Sequence, residues 1–127
     1  ISRVGKLFLD FGLHAPTIAF PEVYGLMIEP TESYSKAELD RFVEIVTAIR
    51  RIILESPEVL QTVPHFTPVD RIDDLAANKN LRLSEPLEGL PATLENRVSI
   101  AELDGLSTEE IRIRIIEAHE KFETTTA

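Results

Sequence analysis

The sequence predicts an α/β fold of the α+β kind: a small antiparallel sheet covered by helices. Three observations predict it. Two short β-like runs, Thr17-Ile18-Ala19-Phe20 and Leu26-Met27-Ile28-Glu29, lie close together and are bounded by Pro16, Pro21 and Pro30. Two capping boxes, Ser35-Lys36-Ala37-Glu38 and Ser107-Thr108-Glu109-Glu110, each open a stretch with helical apolar spacing. With 127 residues, 43% of them hydrophobic, the chain can bury a core without a disulfide or metal.

The elements follow in order. Val4, Leu7, Phe8 and Phe11 share a helical face, set against Arg3, Lys6 and Asp10, and Gly12 reads as the stop at C′. The two β-like runs return on each other as a hairpin, with proline marking their ends because it cannot donate to a ladder. Residues 35–56 carry the strongest signal: Leu39, Phe42, Val43, Val46, Ile49 and Ile53 line one face, and Ile45 and Ile52 widen it. Ser56-Pro57 stops this helix and starts another through Gln61, with Ser56 as N-cap and Pro57 at N1. Asp70 to Ala77 reads as a helix of two turns between proline-bounded loops, and Leu81-Arg82-Leu83 as an edge strand. Residues 93–106 give no clear pattern. In the last helix Ile111, Ile115, Ala118 and Phe122 share a face, and Glu110–Arg114 and Glu117–Lys121 are spaced as ion pairs. Thr124 to Ala127 reads as a frayed tail.

Composition excludes several functions. With 13 basic against 22 acidic residues the net charge is −9. Phosphate neutralisation by Lys and Arg drives non-specific nucleic-acid binding, so neither nucleic acid nor an anionic membrane surface is an expected partner. There is no cysteine, hence no disulfide scaffold, thiolate zinc site or cysteine nucleophile. No apolar run is long enough to span a bilayer, and no signal-peptide run opens the chain. The expected location is cytoplasmic. The chain starts at Ile1 rather than Met, as a processed or excised piece would.

Motifs exclude more. The five glycines form no phosphate-binding loop, and the serines no nucleophile elbow. His14, His65 and His119 have no local metal-ligand spacing, so no metal site is assigned. His14 and His65 sit in proline-bounded loops, where a backbone hydrogen bond is the ordinary role. Glu29 and Glu32 flank Pro30-Thr31 after the second run: either an acid–base pair, or a solvated approach to the long helix. Arg41, Arg50 and Arg51 on that helix are expected to be solvated or paired with Glu38, Glu44 and Glu55.

Asp10-Phe11-Gly12-Leu13-His14-Ala15-Pro16-Thr17-Ile18-Ala19-Phe20-Pro21 resembles a signature in the C-terminal part of glycine decarboxylase, the P-protein of the glycine cleavage system. Leu26-Met27-Ile28-Glu29-Pro30-Thr31-Glu32-Ser33 resembles the next signature, at the right distance. Lys36 to Phe42 resembles the opening of the helix that follows. Pro64-His65 through Pro68, then Arg71 and Asp73, looks like the tail of the bacterial form. The resemblance covers residues 1–84. It divides the chain into a P-protein-like small domain over 1–90 and an extension over 91–127, whose capped helix packs on the same domain.

The resemblance implies a pyridoxal-phosphate enzyme with the aspartate-aminotransferase type of fold, which decarboxylates glycine and passes the aminomethyl group to a lipoyl carrier. The matched region would be its C-terminal small domain. The family's cofactor lysine follows a His in a Thr-rich stretch; Lys6, Lys36, Lys79 and Lys121 lack that setting. The expectation is therefore that the cofactor belongs to a large domain missing here, with no catalytic or cofactor-binding residue in this chain. His14, Pro16, Thr17, Glu29, Thr31, Glu32 and His65 become candidates for loops that approach the cleft. The implied partner is a larger pyridoxal-phosphate subunit, or a second copy in a dimer. Two other readings stand beside this one. The first is an interaction or regulatory module that reuses the fold, suggested by the unmatched segment from about residue 90. The second is an independent small enzyme using His14 or His65 with Glu29.

Overall fold

The computed structural model describes residues 1–18, 22, 24–68, 72–81, 84 and 100–126. The expected strand ends at Ala19-Phe20, the start of the expected helix at Asp70-Arg71, most of the edge strand at Leu81-Arg82-Leu83 and the stretch 93–99 lie outside them.

Helix α1 spans Ser2–Asp10. Its end is a Schellman motif: Leu13 N–H donates to the Phe8 carbonyl and Gly12 N–H to the Leu9 carbonyl, both at 2.9 Å. Gly12 has φ 71°, the left-handed conformation the motif requires at C′. The chain then enters β1 (Thr17–Ile18), which pairs antiparallel with β2 (Leu26–Met27) in the register Thr17↔Met27 and Ile18↔Leu26. The α+β class and the hairpin are thus as the sequence predicts, with the ladder confined to these two pairs among the described residues.

Helix α2 spans Lys36–Glu55 and has the full capping box. Glu38 N–H donates to Ser35 Oγ at 3.3 Å, and Ser35 N–H donates to Glu38 Oε2 at 2.7 Å. Its buried line is Ile45, Ala48, Ile49 and Ile52. That corrects the expected face by rotation: Val43 is 63% exposed, Leu39 is also exposed, and Phe42, Val46 and Ile53 are half-buried. The first half of α2 meets little besides α1, where Phe42 stacks on Phe8. The second half lies under the last helix and carries the core.

Pro57–Gln61 forms a 3-10 helix rather than an α-helix, and the Ser56 side chain makes no capping bond. A 3-10 turn needs fewer residues, and the cis Val63–Pro64 bond follows it at once. Helix α3 spans Asp74–Lys79, later than expected, because Asp73 is its N-cap: Ala76 N–H donates to the Asp73 carboxylate at 2.9 Å. A second 3-10 helix, Ile100–Leu103, leads to α4 (Thr108–Thr126). The second capping box forms, with Glu110 N–H donating to Ser107 Oγ and Ser107 N–H to Glu110 Oε2. Glu110 is committed there, and Arg114 pairs instead with Glu117. The expected frayed tail is helical to Thr126, and Thr124 Oγ1 donates to the Glu120 and Lys121 carbonyls.

One core joins these elements: Leu7, Phe8 and Phe11 from the end of α1, Ile45, Ile49 and Ile52 from α2, Val59, Val63 and Phe66 beyond it, and Leu103, Ile111 and Ile115 from the last segment. Helix α4 packs on α2 and the first 3-10 helix, and α1 on the same two. The buried line of α4 is Ile111, Ile115 and His119, at i, i+4, i+8; Phe122 is 51% exposed.

Candidate functional site

Two polar constellations stand out, and they differ in kind. The first is the open end of the β1–β2 pair. The antiparallel register brings the chain entering β1, His14 to Pro16, to the same end as the chain leaving β2, Ile28 to Glu32. Six of the seven residues singled out from the sequence (His14, Pro16, Thr17, Glu29, Thr31 and Glu32) therefore come to one end of one hairpin. His14, Thr17, Glu29, Thr31 and Glu32 are exposed and Pro16 is half-buried. His14 Nδ1–H donates to the Ala15 carbonyl at 2.9 Å, and Thr31 Oγ1 accepts from Ser33 N–H at 3.4 Å. Ile18 and Met27 on the ladder, and Tyr24 and Ile28 beside it, are exposed large apolar side chains.

The seventh residue, His65, lies elsewhere. It is buried in the second constellation, a chain of four polar side chains. Asp10, on the last turn of α1, is 0% exposed, whereas the sequence pattern sets it on the polar side of that helix. An acid at a helix C-terminus meets the negative end of the dipole. It is held there by three donors. His65 N–H and Phe66 N–H reach Asp10 Oδ1 at 2.6 and 2.9 Å, and His65 Nδ1 lies 2.9 Å from Oδ2. His65 Nε2 lies 2.9 Å from Thr62 Oγ1, and the same hydroxyl is 2.8 Å from His119 Nδ1. No buried side-chain nitrogen or oxygen is left without a partner among the described residues. Every polar group here is matched, as burial demands.

Carboxylate to Nδ1, then Nε2 to a hydroxyl, is the connectivity that activates a nucleophilic hydroxyl. Here the hydroxyl is half-buried and engaged by a second imidazole. The described cavity, about 440 Å³, is elsewhere, lined by Phe11, Gly12, Arg41, Leu103, Asp104 and Gly105 among others. Arg41 lies at its edge, exposed as one of the two expectations had it, and donates from Nη2 to the Phe11 carbonyl at 3.0 Å. The four-residue chain has the contacts of a structural relay.

The α2–α4 seam carries a third polar set. Arg112 forks onto Glu109 and reaches Glu55, and Arg51 bridges Glu55 and Glu109, matching the expected Arg51–Glu55 pair. The hydrogen bonds from Arg112, with its charge and that of Arg51, hold the Glu109 carboxyl below the usual range; Arg112 is raised in return. Glu38 is lowered by the Ser35 backbone and side chain, and Glu110 by the Ser107 side chain and backbone.

The lining of the described cavity includes Arg41 and no lysine. Lys36 is on the exposed first turn of α2, paired with Asp40, and Lys79 ends the exposed α3. Among the described residues no group of three or more His, Cys, Asp or Glu is arranged to hold a metal ion, and no helix is long and apolar enough to cross a membrane.

Asp10, Thr62 and His119 were not singled out from the sequence. The last had a signal: His119 falls four residues after Ile115 on the buried line. Asp10 and Thr62 had none, since their partners are brought in from distant positions.

Residues 1–64 match the family described as "Glycine dehydrogenase, C-terminal domain". Among curated proteins, the "Probable glycine dehydrogenase (decarboxylating) subunit 2" of Pyrococcus horikoshii is 53% identical over 78 residues, covering 60% of this chain and 16% of that protein. The proteins of the same name from Pseudothermotoga lettingae (47% over 81 residues; 62% and 17%) and Prosthecochloris aestuarii (45% over 85; 65% and 18%) are also similar. The chain spans about a sixth of the length of the curated relatives it matches. No solved structure matches it.

Proposed function

On the premise that this chain belongs to the glycine dehydrogenase C-terminal domain family, with half its length inside the family's match, we propose that it serves as the C-terminal domain of a glycine-decarboxylating enzyme of the glycine cleavage system. Pyridoxal phosphate belongs, in this reading, to another domain or subunit. This domain contributes the hairpin end that carries His14, Pro16, Thr17, Glu29, Thr31 and Glu32, and docks through the apolar side chains beside it. One observation carries the reading: the hairpin gathers the two family-like signatures at one end, next to exposed Ile18, Met27 and Ile28. A soluble domain gains nothing by leaving such side chains in water, whereas a covering partner buries them. The domain acts in the cytoplasm, with the cofactor-bearing part rather than a second copy as its partner.

The reading as an independent interaction module has one observation in its favour. Helix α4 lies outside residues 1–64 and still contributes Ile111 and Ile115 to the core.

A chimera separates the two. The matching segment of the Pyrococcus horikoshii protein is replaced by the whole of this chain, and release of labelled carbon dioxide from carboxyl-labelled glycine is measured with the rest of the system present. The proposal expects decarboxylation by the chimera. A folded, cofactor-loaded chimera with no decarboxylation would contradict it and favour the module.

A further inference from the structure

We propose that Asp10, His65, Thr62 and His119 form a one-way hydrogen-bond relay that couples the seating of α4 to the order of the loop leaving α1, residues 11–17. The direction follows from counting hydrogens. The Asp10 carboxylate only accepts, so the His65 nitrogen facing it, Nδ1, carries a hydrogen. In the neutral ring Nε2 is then a bare acceptor. Thr62 has a single hydroxyl hydrogen, shared between that acceptor, 2.9 Å away, and the Val59 carbonyl, 3.2 Å away. The Thr62 oxygen is left to accept, and His119 Nδ1, at 2.8 Å, is the ring atom that donates to it. His119 is thereby held as the Nδ1–H tautomer with Nε2 bare.

Each link joins a different element. His119 belongs to α4, Thr62 follows the first 3-10 helix, His65 follows the cis Val63–Pro64 bond, and Asp10 closes α1. The seam ion pairs and the bond from Thr108 to Glu44 fasten the first turns of α4. His119 fastens it about two turns farther on. When α4 lifts there, Thr62 loses its donor and its hydroxyl hydrogen, already shared with the Val59 carbonyl at 3.2 Å, shifts wholly to it. That rotation withdraws the hydrogen from His65 Nε2, leaving a buried acceptor unpaired, and loosens the ring that holds Asp10. The residues after Asp10 form the Schellman turn and then the His14–Thr17 loop. A change that starts outside the family's match therefore reaches a loop inside it. Two distinct places share one coupling free energy, so order in either stabilises the other.

The inference concerns the loop named in the proposed function but stands without it, since its test reads exchange and ring nitrogens rather than glycine chemistry. The full chain is compared with Thr62→Val, which keeps the shape and removes the hydroxyl, with His119→Ala, and with His119→Asn, whose amide N–H replaces Nδ1–H. In the unaltered chain, nitrogen-15 NMR is expected to show the His119 hydrogen on Nδ1 and His65 Nε2 bare. Amide exchange is expected to quicken roughly three- to tenfold, the scale of one lost hydrogen bond, in both the second half of α4 and residues 11–17 of Thr62→Val and His119→Ala. His119→Asn is expected to slow it again in both segments relative to His119→Ala. Quickening confined to α4, no slowing at 11–17 in His119→Asn, or a His119 hydrogen on Nε2 would overturn the relay. The two His119 variants carry the test if Thr62→Val does not fold.

Discussion

The buried relay and the open hairpin end hold similar chemistry in opposite settings. Each has histidine, threonine and carboxylate. In the relay no fully buried side-chain nitrogen or oxygen lacks a partner among the described residues, Asp10 is fully buried and α1 is tied to α4. At the hairpin end the same residue types are exposed, bonded among the described residues to near neighbours in the chain, and bordered by exposed apolar side chains. Matched and buried polar groups specify a structure; unmatched and exposed ones are available to something else. The family match includes Asp10, Thr62 and the whole hairpin, while His119 lies outside it.

That division is breakable, and Asp10 is where the largest effect is expected. Asp10→Ala leaves the His65 and Phe66 N–H groups and one imidazole without their acceptor. Removing one partner of a buried pair costs about 3–5 kcal/mol, read as a lower urea midpoint at unchanged slope. A loss below about 1 kcal/mol would mean the relay behaves as an exposed ion pair does. Next is Ile115→Ala, at 0% exposure under α2. Losing a buried isoleucine of this kind costs about 2–5 kcal/mol, and thermal unfolding should remain a single transition. Separate melting of α4 would contradict the shared core.

A smaller effect sharpens the comparison at the helix starts. Ser107→Ala removes one side of the second capping box and should cost about 1 kcal/mol. Glu38, Glu109 and Glu110 are all held below the ordinary carboxylate range. The sign follows: their contribution is fully present above the unfolded carboxylate value and is lost as pH falls through the lowered folded one. Acid titration of stability should show this decline, and Ser107→Ala should flatten the part due to Glu110. Smallest of all is Met27→Ser in the isolated chain, where an exposed side chain changes stability by less than about 0.5 kcal/mol. A larger loss would show that the hairpin face is already covered.

Much of this arrangement was legible locally. Both capping boxes, the Gly12 stop and the hairpin are written in contiguous residues, so short-range physics suffices to read them. The two β-like runs read as a hairpin, but they do not say whether His14 and Glu29 approach each other. What the pattern hid depends on tertiary contact. The buried face of α2 is rotated away from Val43 because α4, far along the chain, decides which side is covered. Asp10 reads as polar and is buried because its three donors arrive from residues 65 and 66. The 3-10 form of Pro57–Gln61 and the later start of α3 turned on single caps, Ser56 failing to make one and Asp73 supplying one.

The most direct test of the division reads the hairpin end for activity and for stability at once. In the glycine-decarboxylating chimera, Glu29→Gln and His14→Ala are compared with the unaltered chimera for labelled carbon dioxide release and for melting temperature. The account predicts at least about a tenfold loss of rate, the scale of a removed charged or proton-transferring group, with melting unchanged in both variants. Full activity in both would contradict it, and would leave the hairpin end as surface with no part in the reaction.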